Sequence, residues 1–181
     1  MMPKIADIEN TPNPNAIKFV LKDRVAWGKP KEYGNPEEAQ GDELARRLFA
    51  IPHVTNVFYA DHWVTVTQDG NVEWADLVRK VAQPIREAKA AEMPVRAELD
   101  SEPEQAEDSR LVAIKQLLDK HIRPTLIGDG GDLEVMTLCG NVLCIRYYGT
   151  CGSCPSSQTG TLIAIENLVR TIEPEIEVVS V

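Results

Sequence analysis

The stretch from Ala88 to Asp108 decides how the rest of the chain can fold. It carries seven acidic and two basic side chains, no aromatic residue, and only Met93, Val95 and Leu99 as larger apolar groups. Such a segment cannot bury enough surface to offset the entropy of ordering it, so it reads as a flexible acidic linker. As a random coil it would span roughly 25 Å. The chain is thereby divided into two small domains, residues 1–87 and residues 109–181, each with a net charge of −2.

The whole chain has 19 basic and 28 acidic residues and a net charge of −9. That balance argues against nucleic acid as a partner, because binding there rests on neutralising phosphates. A composition of 43% hydrophobic and 26% charged residues fits a soluble globular protein. No apolar run approaches the roughly 20 residues that cross a bilayer, so no membrane association is expected. Met1 to Asp7 has neither an apolar signal core nor an Arg/Ser-rich amphipathic stretch, and the expected compartment is the cytoplasm.

Both domains read as α+β. In the first, Ala16–Leu21 suits a strand, and Leu44, Leu48 and Ile51 mark a helix over 42–51. Val54–Tyr59 and Trp63–Thr67 look like strands joined at Ala60-Asp61-His62, and Trp74, Leu77, Val78, Val81 and Ile85 form a helical stripe. In the second, Leu111, Ile114, Leu117 and Leu118 mark a helix toward His121, interrupted by Pro124. Gly128 to Asp132 is a turn, and Leu133–Leu138 with Val142–Tyr148 a hairpin closed by Cys139-Gly140-Asn141. A helix carrying Leu162, Ile165, Leu168, Val169 and Ile172 follows, then a strand over 175–181. The expected order in this domain is α-β-β-α-β.

All four cysteines, Cys139, Cys144, Cys151 and Cys154, fall in this second domain. In a reducing compartment such clustering points to metal or redox chemistry more than to structural disulfides. Cys151-x-x-Cys154 is the strong signal. Two intervening residues let both sulfurs converge on one centre from a single turn, and Gly152 eases that turn. Pro155 is favoured at a first helical position, which puts Cys154 near a helix N-cap, where unpaired N–H groups stabilise a thiolate. The same pair could also serve as a redox dithiol. A tetrahedral metal or an iron–sulfur cluster needs four ligands, whereas one chain offers two at ligand spacing. Two chains related by a two-fold axis would supply four. Cys139 and Cys144 read as ordinary small residues, the alternative being a four-cysteine zinc or iron site within one chain.

The other polar motifs carry less. Asp129-Gly130-Gly131-Asp132 lacks the spacing of a calcium loop, and no Lys-Ser/Thr follows as in a phosphate loop, so it reads as a glycine turn. His53, His62 and His121 are scattered. Ser156 and Ser157 have no matched His and acid and read as helix caps. No catalytic residue is assigned.

Arg123-Pro124-Thr125-Leu126, Asp129-Gly130-Gly131-Asp132 and Gly149-Thr150-Cys151-Gly152-Ser153-Cys154-Pro155-Ser156-Ser157 together resemble the NifU C-terminal (Nfu) domain, over about residues 109–181. Thr11-Pro12-Asn13-Pro14-Asn15-Ala16-Ile17-Lys18-Phe19 is similar to the start of the Nfu N-terminal domain, over about residues 1–87. The resemblance implies an iron–sulfur scaffold and carrier, not an enzyme. In it Cys151 and Cys154 of two subunits hold a bridging [4Fe–4S] cluster, received from or built with upstream scaffolds and passed to apo client proteins. It also implies client recognition by the N-terminal domain and a homodimer when the cluster is bound. Ser153 stands where many members have glycine, and Cys139 and Cys144 lie outside the family's ligand pattern. The competing readings are a thiol–disulfide oxidoreductase and a structural zinc module. The residues after Cys154 read as one helix and one strand, too short a segment for a thioredoxin-like fold.

Overall fold

The computed structural model describes residues 3–89, 109–150 and 155–181, with side chains in the last segment from Gly160 onward. The linker expected over 88–108 lies outside the described residues from Ala90 onward. The chain divides into two compact units, residues 1–100 and 101–181. Both are mixed α/β.

The first unit is a five-stranded antiparallel sheet with helices on one face. Its elements are β1 (Ile5–Asn10), β2 (Ala16–Leu21), β3 (Lys31–Tyr33), a 3-10 turn (Glu38–Gly41), α1 (Glu43–Phe49), β4 (Val54–Ala60), β5 (Trp63–Gln68) and α2 (Trp74–Glu87). The sheet order is β1-β2-β5-β4-β3. Ile17, Phe19 and Leu21 of β2, Val57 and Tyr59 of β4, and Val64 and Val66 of β5 point to one face. There they meet Leu44 and Leu48 of α1 and Leu77, Val81 and Ile85 of α2. The helical stripes read from the sequence are therefore core, as a sheet face requires.

Sequence periodicity missed β1 and β3. Edge strand β1 is mostly exposed, with acidic Asp7 and Glu9 in it, and β3 is only three residues long, so neither shows a clear two-residue alternation. The Thr11–Asn15 segment is a structural turn. Thr11 Oγ1 donates to Asn13 O at 2.9 Å and the Asn13 side chain accepts from Asn15 N at 2.9 Å. Trp74 Nε1 reaches back to Pro14 O at 3.0 Å, fixing the start of α2 against this turn.

The second unit contains α3 (Ser109–His121), α4 (Arg123–Gly128), β6 (Gly131–Cys139), β7 (Val142–Gly149), α5 (Pro155–Val169) and β8 (Glu177–Ser180). The sheet order is β6-β7-β8, with β6 and β7 antiparallel and β7 and β8 parallel. The parallel pair needs a crossover, and α5 lies within it. Ile114, Leu118, Leu126, Leu133, Leu143, Ile145, Ile165, Val169 and Val178 form the core.

Two details depart from expectation. Pro124 does not merely break α3; it occupies the first turn of the separate helix α4, where its missing N–H costs nothing. Ile172 is not on the core face of α5, which ends at Val169; it follows the helix and is exposed.

Candidate metal centre

The Cys-x-x-Cys segment runs from the end of β7 to the start of α5, and Cys151, Gly152, Ser153 and Cys154 lie outside the described residues. The residues on which it stands are described in detail. β7 ends at Gly149, which pairs with Gly131 at the start of β6 and has φ +69°. The next residue, Thr150, is buried and donates through Oγ1 to Asp129 O at 2.7 Å. Asp129 closes α4, its N–H donating to Thr125 O at 3.0 Å. Gly130 then takes φ +82°, a left-handed turn at a helix end where a side chain would be strained.

Asp132 is the polar keystone of this corner. It is 7% exposed, and its Oδ1 accepts from Arg123 Nε at 2.9 Å and from Leu133 N at 2.8 Å. The same guanidinium donates to Leu133 O at 2.8 Å and pairs with Asp119 of α3 at 2.7 Å. One arginine thus ties α3, α4 and β6 together directly beneath the strand end that feeds the motif. Burial pushes the Asp132 carboxyl above the ordinary aspartate value, and Arg123 offsets that only in part.

Two of the segments quoted for the resemblance, around Arg123 and Asp129-Gly130-Gly131-Asp132, therefore meet in space beside Thr150. From sequence alone, Asp129 to Asp132 reads as a glycine turn. Gly130 has the positive φ, whereas Asp132 is already in β6 and serves as an ion-pair acceptor. The missed signal was the single arginine nine positions ahead of an aspartate that β6 carries into the core.

Cys139 and Cys144 sit elsewhere on the hairpin. Cys139 is exposed beside the Gly140-Asn141 turn and pairs with Val142; Cys144 is half-buried and pairs with Thr137. Cys144 faces away from Leu143 and Ile145, which are fully buried. Five residues of extended strand, about 17 Å, separate it from Gly149. Thiolates sharing one tetrahedral metal must lie within about 4 Å of each other. The hairpin thus holds the second pair of thiols well away from the strand end that leads to the motif.

The histidines do not gather. His53 Nδ1 lies 3.0 Å from Asp69, and His62 Nε2 accepts from Arg24 at 3.2 Å. Among the described residues no three His, Cys, Asp or Glu side chains are grouped so as to hold a metal. Ser156 and Ser157 fall where side chains are not described. The first unit has a cavity of about 290 Å³ beside Lys31, Asp42, Arg47 and Tyr59. Its polar groups satisfy one another: Tyr59 donates to Asp42, Lys31 pairs with Asp42 at 3.2 Å, and Arg47 pairs with Glu87.

Residues 5–92 match the family model of the scaffold protein Nfu/NifU N terminal, and residues 114–180 match that of the NifU-like domain. The chain is 32% identical over 174 residues to a Drosophila erecta protein named NFU1 iron-sulfur cluster scaffold homolog, mitochondrial. The chain is an Nfu/NifU-like protein. The alignment takes in 93% of this chain but 62% of the Drosophila erecta protein's length. The Drosophila willistoni protein of the same name is 32% identical over 175 residues, 93% of this chain and 60% of that protein. A solved NifU-like protein from Saccharomyces cerevisiae aligns at 24% identity over 48% of this Nfu/NifU-like chain and 77% of its own, with a TM-score of 0.41. The NifU-like match spans Arg123, Asp132 and the whole Cys151–Cys154 segment.

Proposed function

We propose that this protein carries iron–sulfur clusters: Cys151 and Cys154 of two copies hold one [4Fe–4S] cluster as cargo and surrender it to apo client proteins. One observation carries the reading, a Cys-x-x-Cys segment within the NifU-like match, between a strand end fixed by Thr150 and Arg123 and the start of α5. The relatives' names as iron–sulfur cluster scaffold homologues support it.

The chemistry follows from ligand count and position. Two thiolates per chain leave a four-ligand cluster half-held, so two copies share it. The unpaired N–H groups of the first turn of α5 favour the thiolate form of nearby cysteines. Delivery is ligand exchange: a client thiolate forms a bond to iron as a Cys151 or Cys154 thiolate leaves, with no change in electron count. A client that offers a complete ligand set drives the exchange to completion. The protein is in this reading a binding and delivery protein without turnover chemistry of its own.

We assign residues 1–87 to client recognition, 88–108 to the tether and 109–181 to cluster handling, with upstream scaffolds as cluster donors. Free thiols at Cys139 and Cys144 suit a reducing compartment, here the cytoplasm, while the Drosophila relatives are named as mitochondrial. Among the described residues no helix is long and apolar enough to cross a membrane.

Anaerobic reconstitution with iron and sulfide tests the reading. The expected product has about four iron and four sulfide per two chains and the mass of a dimer. Cys151→Ser or Cys154→Ser abolishes cluster uptake with the fold intact, whereas Cys139→Ser and Cys144→Ser load as the parent does. Monomer holding zinc without sulfide would replace the carrier with a structural zinc module.

A further inference from the structure

The end of β7 is held by a side chain at the point where the sheet stops holding it. The last pair of the β6–β7 ladder is Gly131 with Gly149, and Gly149 takes φ +69°, which turns the chain out of the strand. Thr150 comes next. It is 4% exposed, and one planar peptide bond joins it to Cys151. Its Oγ1 donates to Asp129 O at 2.7 Å across 21 residues of sequence.

The acceptor is a helix end. Carbonyls in the final turn of a helix lack partners within it, and Asp129 is the residue that closes α4. The Asp129 N–H turns back to Thr125 O at 3.0 Å, and Gly130 at φ +82° leads on into β6. The other end of α4 is fixed as well. Arg123 donates to Asp132 Oδ1 and Leu133 O of β6 and pairs with Asp119 of α3. One hydroxyl therefore joins the residue before Cys151 to a helix that two further elements brace.

From this geometry we infer that Thr150 is a positioning residue: through its hydroxyl it holds the backbone entering Cys151, and so sets how long a bound cluster stays. The inference rests on the carrier reading and adds to it a residue outside the ligand pair. A thiolate–iron bond that opens closes again only while the thiolate stays within reach. A main chain fixed beforehand keeps it there and spares the entropy of ordering it at each closure. Shape alone does not account for a threonine at this place. Valine fills nearly the same volume, but lacking a hydroxyl it would leave the Asp129 carbonyl without this donor. Serine keeps the donor and gives up a methyl group. The two substitutions therefore separate the hydrogen bond from the packing.

The test uses the full chain, reconstituted anaerobically with iron and sulfide. Cluster absorbance is followed after addition of excess iron chelator, and circular dichroism of the cluster-free chain reports the fold. Thr150→Val is expected to load and then to lose its cluster about fivefold faster than the parent, the size of one net hydrogen bond. Thr150→Ser is expected to lose it within about twofold of the parent rate, a rescue that lost packing cannot give. Equal rates for Thr150→Val and the parent overturn the inference and leave the carrier reading standing. Faster loss from Thr150→Ser than from Thr150→Val makes the methyl group the operative feature and overturns it too. A second unit that fails to fold in Thr150→Val assigns the hydroxyl to the fold and not to the ligand, with the same result. A parent chain that takes up no iron and sulfide overturns the carrier reading, and this inference with it.

Discussion

Each unit buries an aspartate beside a cation, and the two aspartates answer burial in opposite ways. Asp42 caps α1 in the first unit. Burial alone would raise its carboxyl, but a hydrogen bond from Tyr59, the Ala45 N–H and Lys31 outweigh it and hold it below the ordinary value. Asp132 opens β6 in the second unit, and there burial prevails over Arg123. The difference lies in how many donors converge on the carboxylate. Asp42 draws donors from Tyr59, Ala45 and Lys31, whereas Asp132 shares its one arginine with Leu133 and Asp119. Around Asp42 the first unit's buried carboxylate is well supplied with donors. In the second, one arginine is shared among three acceptors beside the strand end at Gly149 and Thr150.

The sharpest way to break this contrast is to remove Arg123. Arg123→Ala leaves Asp132 in the interior without its charge partner and frees α3 and α4 from β6. We expect a loss of about 3 kcal/mol from the second unit. For a unit of this size that lowers the melting temperature by roughly 12–24 °C. All three tryptophans, Trp27, Trp63 and Trp74, are in the first unit. Tryptophan fluorescence therefore reports only that unit, and its transition should not move while the circular dichroism transition of the second unit falls. A shift of the fluorescence transition by the same amount would show that the two units melt as one. Weaker cluster retention should accompany the loss, because the strand end before Cys151 loses its footing.

Asp42→Ala is the matching change in the first unit. It removes the α1 cap together with the acceptor for Tyr59 and Lys31, and about 1–2 kcal/mol should be lost. Here the fluorescence transition should fall and cluster loading should stay as in the parent. A drop in loading would tie the first unit to cluster binding and erase the functional side of the contrast.

These expectations depend on features that differ in how visible they were beforehand. The α2 stripe of Leu77, Val81 and Ile85 and the β6–β7 hairpin were legible because periodicity follows from burying one face. The Cys151-x-x-Cys154 spacing stands out in the sequence because two sulfurs so placed could converge on one centre. Arg123 and Asp132 were quoted for the resemblance, yet their pairing was not legible, since nothing local in sequence says that a residue after a glycine turn will be carried inward. The edge strands β1 and β3 were missed for a related reason: pairing along the sheet, not local pattern, makes them strands. The outer face of α5 was hidden differently. Ile163 and Ile165 look alike in sequence, and only the packed helix separates the buried one from the exposed one.

Acid should sharpen the comparison with a smaller effect. The folded value of Asp42 lies below the ordinary one near 4, so its contribution is present above about pH 4 and is lost as pH falls through the folded value. The folded value of Asp132 lies above the ordinary one, so its contribution is present below about pH 4 and is lost as pH rises through the folded value. Asp42→Asn should therefore cost the first unit more at pH 5 than at pH 3. Asp132→Asn should cost the second unit less at pH 5 than at pH 3. Thermal unfolding of each variant across that window reads both, and a common sign would collapse the distinction between the two carboxylates.

The smallest expected effect concerns two tyrosines that repeat the contrast from the donor side. Tyr59 gives its hydroxyl proton to the hydrogen bond with Asp42, and burial first, then that carboxylate, hold it far above the ordinary phenol value. Tyr148 donates to Glu134 at 2.6 Å on the open face of the β6–β7 hairpin and is pushed up to about 12, by burial first and then by Glu134. A raised folded value means that stability from Tyr148 is present below about pH 10 and is lost as pH rises toward 12. Phenolate absorbance, taken as the difference between the parent and Tyr148→Phe, should show a midpoint near 12. Glu134→Gln should bring it back toward 10, because a neutral acceptor no longer opposes the phenolate charge. Tyr59 should not ionise until the first unit unfolds, since it lies in the core and Tyr148 does not. A single shared midpoint for both residues would mean that the open face of the hairpin excludes water as thoroughly as the core of the first unit does.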